Sequence, residues 1–199
     1  QNNIPRIDYS TGTEAFLLEP QSTNLITQSE LFSDAYWTKN NTTVASGIVS
    51  PNGTTNSFKL VESNLFERHF IWKTLTGFTP SVKFTHSWYV KAGERYKVRI
   101  ADAADGSYFG SYNLTTGALI DEGTNSVGKT TITSLSNGWY RLTLMADQAS
   151  NVRYPFMGIL SDDYIAGDGL YYQGDGTSGI YIWGAQLEQK SFATSYIPS

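Results

Sequence analysis

Side chains that could transfer protons or attack a substrate are few in this sequence. Its 199 residues include two histidines and no cysteine. His69 and His86 each share a strand-like segment with a tryptophan, which is typical of a hydrogen-bonded strand residue. The acidic pairs fall in loop-like segments, where charges are usually solvated: Asp102 with Asp105, and Asp162 with Asp163. We therefore predict no catalytic residue and a protein that is not an enzyme.

One short segment offers an enzymatic alternative. Tyr89-Val90-Lys91-Ala92-Gly93 resembles the YFKAG stretch of jelly-roll alginate lyases, in which a strand tyrosine and basic residues act on a uronate. Those enzymes also share RxEx and QIH motifs, and neither motif occurs here. The segment is therefore interpreted as a strand followed by a glycine turn, with a jelly-roll polysaccharide lyase as the lesser alternative.

Aromatic side chains are abundant, and one segment brings several suitable residues to one face. The 13 Tyr and 5 Trp exceed what packing usually requires. Binding of a sugar needs flat apolar faces for its C–H patches and planar polar groups for its hydroxyls. In residues 68–73, alternation places Arg68, Phe70 and Trp72 on one face of a strand. The alternative is that Phe70 and Trp72 are core residues and Ile71 points outward.

Further candidate binding residues lie in other segments. Arg99 is predicted to project from the strand over residues 96–102 onto an open sheet face, available to a hydroxyl or a carboxylate. The other predicted ligand-binding residues are Tyr108, Phe109, Tyr154, Phe156, Tyr171 and Tyr172. Because so many aromatic segments are difficult to assign wholly to a core, we predict that part of them forms a binding surface.

β-Strands must position these residues, because alternation of period two dominates the sequence. Predicted strands cover residues 43–49, 55–62, 69–76, 83–91, 96–102, 110–114, 129–134, 139–146, 151–160 and 179–188. Ten short strands favour an all-β fold, namely a two-sheet antiparallel β-sandwich of jelly-roll type. One short helix is predicted over residues 29–36, with Ser29 as its N-cap.

Length and charge narrow the organisation and the partners. The length favours a single domain over residues 1–199, with residues 1–24 as an extended N-terminal arm near the C-terminal segment. The formal net charge of -4, without a basic run, argues against a nucleic-acid partner. No apolar run approaches the length of about 18 residues needed for membrane insertion. The absence of cysteine excludes disulfides and thiolate metal sites.

Four blocks of the sequence carry a resemblance to known domains. They are residues 5–37, which contain PRIDYSTG and LLEPQSTNLITQSELF, HSWYVKAG at 86–93, NGWYRL at 137–142, and GDGTSGIYIWGAQLEQKSFATSYIPS at 174–199. Together they resemble carbohydrate-binding modules of the family 4 and 9 type and similar β-sandwich domains of phage tail and virion proteins. The resemblance implies an extracellular or virion-associated location. It also implies packing roles for Trp37, Trp88, Trp139 and Trp183.

The predicted function is non-catalytic binding of a polysaccharide through aromatic side chains on an exposed sheet face or groove. The alternative is a structural, assembly or receptor-binding domain of a phage tail or virion protein, and other domains of a larger polypeptide are further expected partners. No cofactor is predicted. Modules of this type often hold a structural Ca²⁺ ion. Loop carboxylates are present at Asp162, Asp163, Asp168 and Asp175, with Glu188 at the end of the last strand, but there is no EF-hand spacing and no ligand set is assigned.

Overall fold

The protein is built almost entirely from short strands. The computed structural model describes residues 6–8, 15–17, 19–102 and 106–199. The strands are β1 (Arg6–Asp8), β2 (Ala15–Leu17), β3 (Thr38–Asn40), β4 (Thr42–Ser46), β5 (Phe58–Glu62), β6 (Phe66–Glu67), β7 (His69–Trp72), β8 (Leu75–Thr76), β9 (Phe84–Ala92), β10 (Lys97–Asp102), β11 (Tyr108–Asn113), β12 (Ala118–Glu122), β13 (Thr130–Ser134), β14 (Trp139–Ala146), β15 (Val152–Arg153), β16 (Pro155–Ile159), β17 (Tyr172–Gln173) and β18 (Gly179–Glu188). A 3₁₀ helix spans Ser136–Gly138. Within the described ranges, no helix is long and apolar enough to cross a membrane.

Two six-stranded antiparallel sheets form a β-sandwich, as the alternating pattern predicts. The first sheet has the strand order β12-β11-β10-β16-β7-β3. The second sheet has the order β13-β14-β9-β18-β5-β4. The chain changes sheet repeatedly, for example from β9 to β10 and from β12 to β13, so each face combines segments that are distant in sequence.

The core lies between the two sheets, because every second residue of the central strands points inward. Ile71, Ile100 and Met157 of the first sheet share one buried cluster with Trp88 and Leu142 of the second, and all five have an exposed fraction of 0%. Burial of a large apolar side chain stabilises the folded state by about 1.5–3 kcal/mol. The same alternation turns the intervening residues of the first sheet outward.

The segment over residues 29–36 forms turns, so the predicted helix is wrong. Ser29, the expected N-cap, donates its hydroxyl to the carbonyl of Ser199 at 3.0 Å. Phe32 is fully buried, with its ring 5.5 Å from that of Trp88. A segment this short makes too few helical hydrogen bonds to offset the cost of nucleation. Tertiary contacts of Ser29 and Phe32 therefore decide its conformation.

The C-terminal tail, residues 189–199, is fixed to the end of β18. The buried carboxylate of Glu188 accepts hydrogen bonds from the backbone N–H of Thr194 at 2.9 Å and from its hydroxyl at 2.6 Å. The side chain of Asn24 donates to the carbonyl of Ile197 at 3.0 Å. The predicted N-terminal arm lies in large part outside the described residues, namely at 1–5, 9–14 and 18.

Candidate functional site

The outer face of the first sheet carries a row of aromatic side chains. On β7, Ile71 is fully buried in the core, whereas Phe70 and Trp72 are half-buried on the opposite side. The alternative arrangement, with Ile71 outward, is therefore wrong. In the register of β16 with β7, Phe156 lies opposite Trp72, and Gly158 lies opposite Phe70. Two strands that are distant in sequence thus contribute rings to one face.

These rings stack in two neighbouring pairs. The rings of Trp72 and Tyr154 have centroids 5.6 Å apart and planes inclined by 28°. Those of Phe70 and Phe156 are 4.7 Å apart and inclined by 29°. We call these four residues the aromatic strip. Phe156 is buried beneath the surface, while the other three remain half-buried, so the strip presents flat apolar surface to solvent.

Polar groups hold the exposed end of the strip. The indole N–H of Trp72 donates to the side-chain oxygen of Asn40 on β3 at 2.8 Å. The backbone N–H of Tyr154 donates to the carboxylate of Asp102 at 2.9 Å. Asn40 was not among the predicted site residues, because β3 is a short polar strand. Its register opposite Phe70 could only come from the folded sheet.

The two predicted arginines lie at the other end of the strip. The guanidinium carbon of Arg68 is 5.1 Å from the centre of the Phe70 ring. Arg99, on β10, lies opposite Gly158 of β16, on the predicted face. Its side chain is only 11% exposed, so the prediction that Arg99 projects freely from an open sheet face is wrong.

Arg99 is covered because a loop crosses the first sheet beside it. Its Nε donates to the hydroxyl of Ser111 at 2.9 Å, and its Nη2 donates to that of Tyr164 at 2.5 Å. The Tyr164 hydroxyl in turn donates to Asp121 at 2.7 Å. Burial lowers the pKa of Arg99, while Tyr164 and Asp121 favour its charged form. Tyr164 and Asp121 were not among the predicted site residues. Neither the loop that contains Tyr164 nor the strand that contains Asp121 shows a clear alternation of apolar and polar residues.

Two predicted binding residues point into the interior. Tyr108 is 5% exposed and belongs to the core cluster. Tyr172 is 9% exposed and donates its hydroxyl to the buried carboxylate of Glu62 at 2.6 Å. Each has an aromatic neighbour in sequence, and alternation sends adjacent residues to opposite faces. Neither ring is therefore available on the outer face of the first sheet.

The sequence neighbours of these two tyrosines lie outside the core. Phe109 is half-buried, and the guanidinium carbon of Arg99 is 3.7 Å from its ring centre. Tyr171 is 55% exposed just before β17. Phe66 is 65% exposed and precedes Arg68 by two residues, which continues the outward alternation of β7. Extending that alternation towards the N-terminus could have identified Phe66 from sequence.

A different aromatic cluster covers part of the second sheet. Trp139 and Trp183 are 1% and 2% exposed, and Tyr196 of the tail packs 4.4 Å from Trp183. Gly184 has a φ of +60° at a bulge in β18, and a Cβ there would lie 3.1 Å from the Tyr196 ring. Together with Trp37 and Trp88 in the core, these positions confirm the predicted packing roles of the four tryptophans.

Beside this cluster, an open groove runs along the second sheet. It is lined by Arg141 and Lys129, by Thr131, Thr133 and Thr143 of β13 and β14, and by apolar side chains that include Phe192 of the tail. Tyr89 of the lyase-like segment also borders it but is only 8% exposed, and burial raises its pKa. Residues 89–92 form the end of β9 and Gly93 follows at a bend, which agrees with the interpretation of that segment as a strand and a turn.

The titratable groups considered for catalysis lie in different surroundings. The Nδ1 of His69 lies 2.9 Å from the carbonyl of Asn41. His86 points into the core, where burial lowers its pKa to about 3. Asp162 pairs with Arg95 at 3.1 Å. Asp105 lies outside the described residues.

The carboxylates considered for calcium do not converge. Asp175 accepts hydrogen bonds from the turn that follows it, including the hydroxyl of Ser178 at 2.5 Å. Asp168 accepts one from the backbone of Ile165, and Glu188 holds the tail. In the described part of the chain, no three His, Cys, Asp or Glu side chains form a group that could hold a metal ion.

Comparison with known proteins gives matches in structure alone. No protein-family model and no curated protein matches the sequence. The chain is similar to the enzymatically active domain of tailspike protein 4 from bacteriophage CBA120, with a TM-score of 0.49 and 13% identity, over 82% of this chain and 21% of that one. The chain thus spans about a fifth of the tailspike chain.

Two similar structures are carbohydrate-binding modules. TmCBM61, in complex with β-1,4-galactotriose, has a TM-score of 0.46 and 10% identity, over 83% of this chain and 98% of that one. TmCBM27, described for specific mannan recognition, has a TM-score of 0.36 and 12% identity, over 86% and 96% of the respective chains. The function of the aromatic strip therefore has to follow from its own residues.

Proposed function

We propose that this protein binds a polysaccharide, without catalysis, through the aromatic strip on the outer face of its first sheet. The observation that carries the proposal is the pair of half-buried, stacked rings of Trp72 and Tyr154, with Asn40 hydrogen-bonded to the indole. A sugar ring has an apolar C–H face that packs on an aromatic ring and hydroxyls that bond to amides at its edge. The strip offers both within one surface.

The position of the strip supports binding to a long chain rather than to a small molecule. Its rings follow two adjacent strands on the open outer face of a sheet, from Tyr154 to Phe70. An extended polymer can lie along such a surface, whereas small ligands are usually enclosed.

We place the protein outside the cell or on a virion, as a single domain over residues 1–199.

Affinity electrophoresis through native gels that contain single polysaccharides tests this proposal. The panel consists of β-glucans, xylans, mannans, alginate, pectin and agars. Trp72→Ala and Tyr154→Ala should each raise the dissociation constant derived from the retardation at least about tenfold, because each removes a stacking surface. Phe192→Ala is the matched control, since it removes an aromatic ring that is 49% exposed beside the second sheet.

The stability of each variant separates loss of binding from loss of fold. Trp72→Ala should cost about 1–2 kcal/mol, from one hydrogen bond and one aromatic contact. Equal retardation of the wild type and both strip variants would exclude the strip as the binding face. Retardation of no protein by any gel would contradict polysaccharide binding itself.

Exposed apolar residues at one end of the first sheet favour a second candidate, an assembly domain of a virion or tail protein. Leu65, Phe66 and Tyr171 are 51%, 65% and 55% exposed around the β6–β17 pair. Apolar residues grouped in this way are typical of protein contacts. Light scattering after size exclusion tests this candidate. A stable oligomer that Phe66→Ser dissociates would support it, and a monomer at all concentrations would contradict self-assembly.

A further inference from the structure

A depression lies between the aromatic strip and the loop that carries Tyr164. Its lining includes Arg68, Arg99, Phe70, Phe156, Gly158 and Leu170. The Phe156 ring lies across Gly158, where a Cβ would come within 2.8 Å of it. The residue at position 158 therefore has to lack a side chain for the ring to pack there. The result is a recess with two guanidinium groups and apolar walls.

Arg68, one of the residues that line the recess, has an unused donor. Its Nε is buried and has no hydrogen-bond partner among the described residues. No carboxylate in the described part of the chain forms an ion pair with Arg68, whose guanidinium rests against the Phe70 ring. A buried donor without an acceptor is costly, and a charged donor especially so. An acceptor supplied by a ligand would remove that cost.

Arg99 is oriented but only partly neutralised. Its Nη2 lies 3.5 Å from Asp121, and its Nε is bound by Ser111. The positive charge of Arg68 acts on Arg99 and disfavours its charged form. Among the described residues, Asp121 is the one carboxylate that pairs with either guanidinium group, so one positive charge of the two is not offset by an ion pair.

We propose that the recess between Arg68 and Arg99 binds a singly charged oxyanion substituent of the polysaccharide, a uronate carboxylate or a sulfate ester. This inference rests on the proposed function, because the strip has to hold the neighbouring sugars. Guanidinium groups recognise carboxylates and sulfur or phosphorus oxyanions through paired N–H donors. The recess thus selects acidic polymers over neutral polymers of the same backbone.

Matched polymers test the inference. Alginate, polygalacturonate and hyaluronan are each run beside their carboxyl-reduced, neutral counterparts, and a sulfated galactan is run beside its desulfated form. We expect the wild type to be retarded at least about tenfold more strongly by one acidic polymer than by its neutral partner. Retardation by uronates identifies a carboxylate ligand, and retardation by the sulfated galactan alone identifies a sulfate ester.

Variants at Arg68 assign this preference to the recess. Arg68→Gln should reduce acidic retardation to the level of the neutral polymer, and Arg68→Lys should retain part of it, because lysine keeps the charge without the paired donors. The matched control is Arg141→Gln on the second sheet, which should leave retardation unchanged. Melting temperatures of all three variants show whether each is folded.

The outcomes separate the two proposals. Equal retardation by acidic and neutral partners, unchanged in Arg68→Gln, would overturn the oxyanion site and leave polysaccharide binding intact. An acidic preference that Arg68→Gln does not alter would place the anion elsewhere and also overturn the assignment. Absence of retardation by every polymer, acidic or neutral, would remove the proposed function and this inference together.

Discussion

The outer faces of both sheets carry tryptophans, but only the first sheet leaves a tryptophan accessible to solvent. On the second sheet, Trp139 and Trp183 are buried beneath the 47–57 loop and the C-terminal tail. On the first sheet, Trp72 stays half-buried, with its indole N–H held by Asn40. The difference shows that coverage by distant chain segments, rather than residue type, separates a structural tryptophan from one that can meet a ligand.

The largest effect at neutral pH should follow from loosening the tail on the second sheet. Glu188→Ala removes a buried acceptor for the backbone and hydroxyl of Thr194 and for Gln186. Because hydrogen bonds to a charged group contribute more than neutral ones, we expect a loss of about 3 kcal/mol in the free energy of unfolding by urea. Below its melting temperature, this variant should be retarded by polysaccharide gels as strongly as the wild type.

The exposed Glu94, whose side chain is 55% accessible, provides the matched control for that variant. Glu94→Ala should change stability by less than about 1 kcal/mol, since it removes a surface ion pair with Lys59. If Glu188→Ala abolished retardation in a protein that is still folded, the binding face would have to include the second sheet.

Lowering the pH should destabilise the core between the two sheets, where His86 is buried. Burial lowers the pKa of His86 to about 3, and its ring nitrogens have no hydrogen-bond partner among the described residues. Its value in an unfolded chain is about 6.5, so the unfolded state takes up the proton first as the pH falls. Between about pH 6.5 and 3, this group lowers stability by roughly 1.4 kcal/mol per pH unit.

Replacement of His86 by an apolar residue isolates that contribution. His86→Leu should be neutral or stabilising at pH 7, because no hydrogen bond is lost, and should show a flatter fall in stability towards acid. Urea unfolding at pH 7, 5.5 and 4 measures both slopes. Parallel slopes for variant and wild type would show that His86 is protonated or solvated in the folded state.

A smaller effect is expected where the loop covers Arg99 on the first sheet. Burial, and next the hydrogen bond to Asp121, raise the pKa of Tyr164 to about 12, so the hydroxyl remains protonated at neutral pH. Tyr164→Phe removes its bonds to Asp121 and Arg99 and should cost about 1–2 kcal/mol in thermal unfolding. Tyr181→Phe, at a half-buried tyrosine of β18, is the control and should cost less. Equal costs would mean that the loop is not held by this hydroxyl.

The smallest effect on stability and binding is expected at Tyr171, which lies just outside the aromatic strip. Tyr171 is exposed, so Tyr171→Ala should alter stability by no more than about 0.5 kcal/mol. Retardation by a bound polysaccharide should fall by less than about twofold, because the ring lies outside the stacked pairs. A loss comparable to that of Trp72→Ala would extend the binding face to the β6–β17 pair.

Much of the fold follows from alternation in the sequence. The predicted strands over residues 139–146 and 179–188 coincide with β14 and β18, because each is a long alternating run that begins after a glycine or at one. β3 and β12 were not predicted. β3 is a polar strand of three residues, and β12 is largely exposed or half-buried, so neither shows a clear apolar period.

The site could be predicted only in part. Alternation alone placed Arg68, Phe70 and Trp72 on one face, but it left open whether that face or Ile71 points to the core, which the structure decides. It could not decide which of Tyr108 and Phe109 faces the core, because both are aromatic. The cover over Arg99 depends on Tyr164, a contact across 65 residues that no local pattern encodes.

The hydrogen bonds of Asn24 with the tail bring together segments that are 175 positions apart in sequence. A donor dye at the exposed residue Thr23 and an acceptor dye at the exposed residue Pro198 would transfer energy efficiently while the tail stays docked. The transfer would fall when the tail detaches or the sandwich opens. Because both positions lie away from the aromatic strip, such a pair would report the folded state in real time during ligand titrations without occupying the binding face.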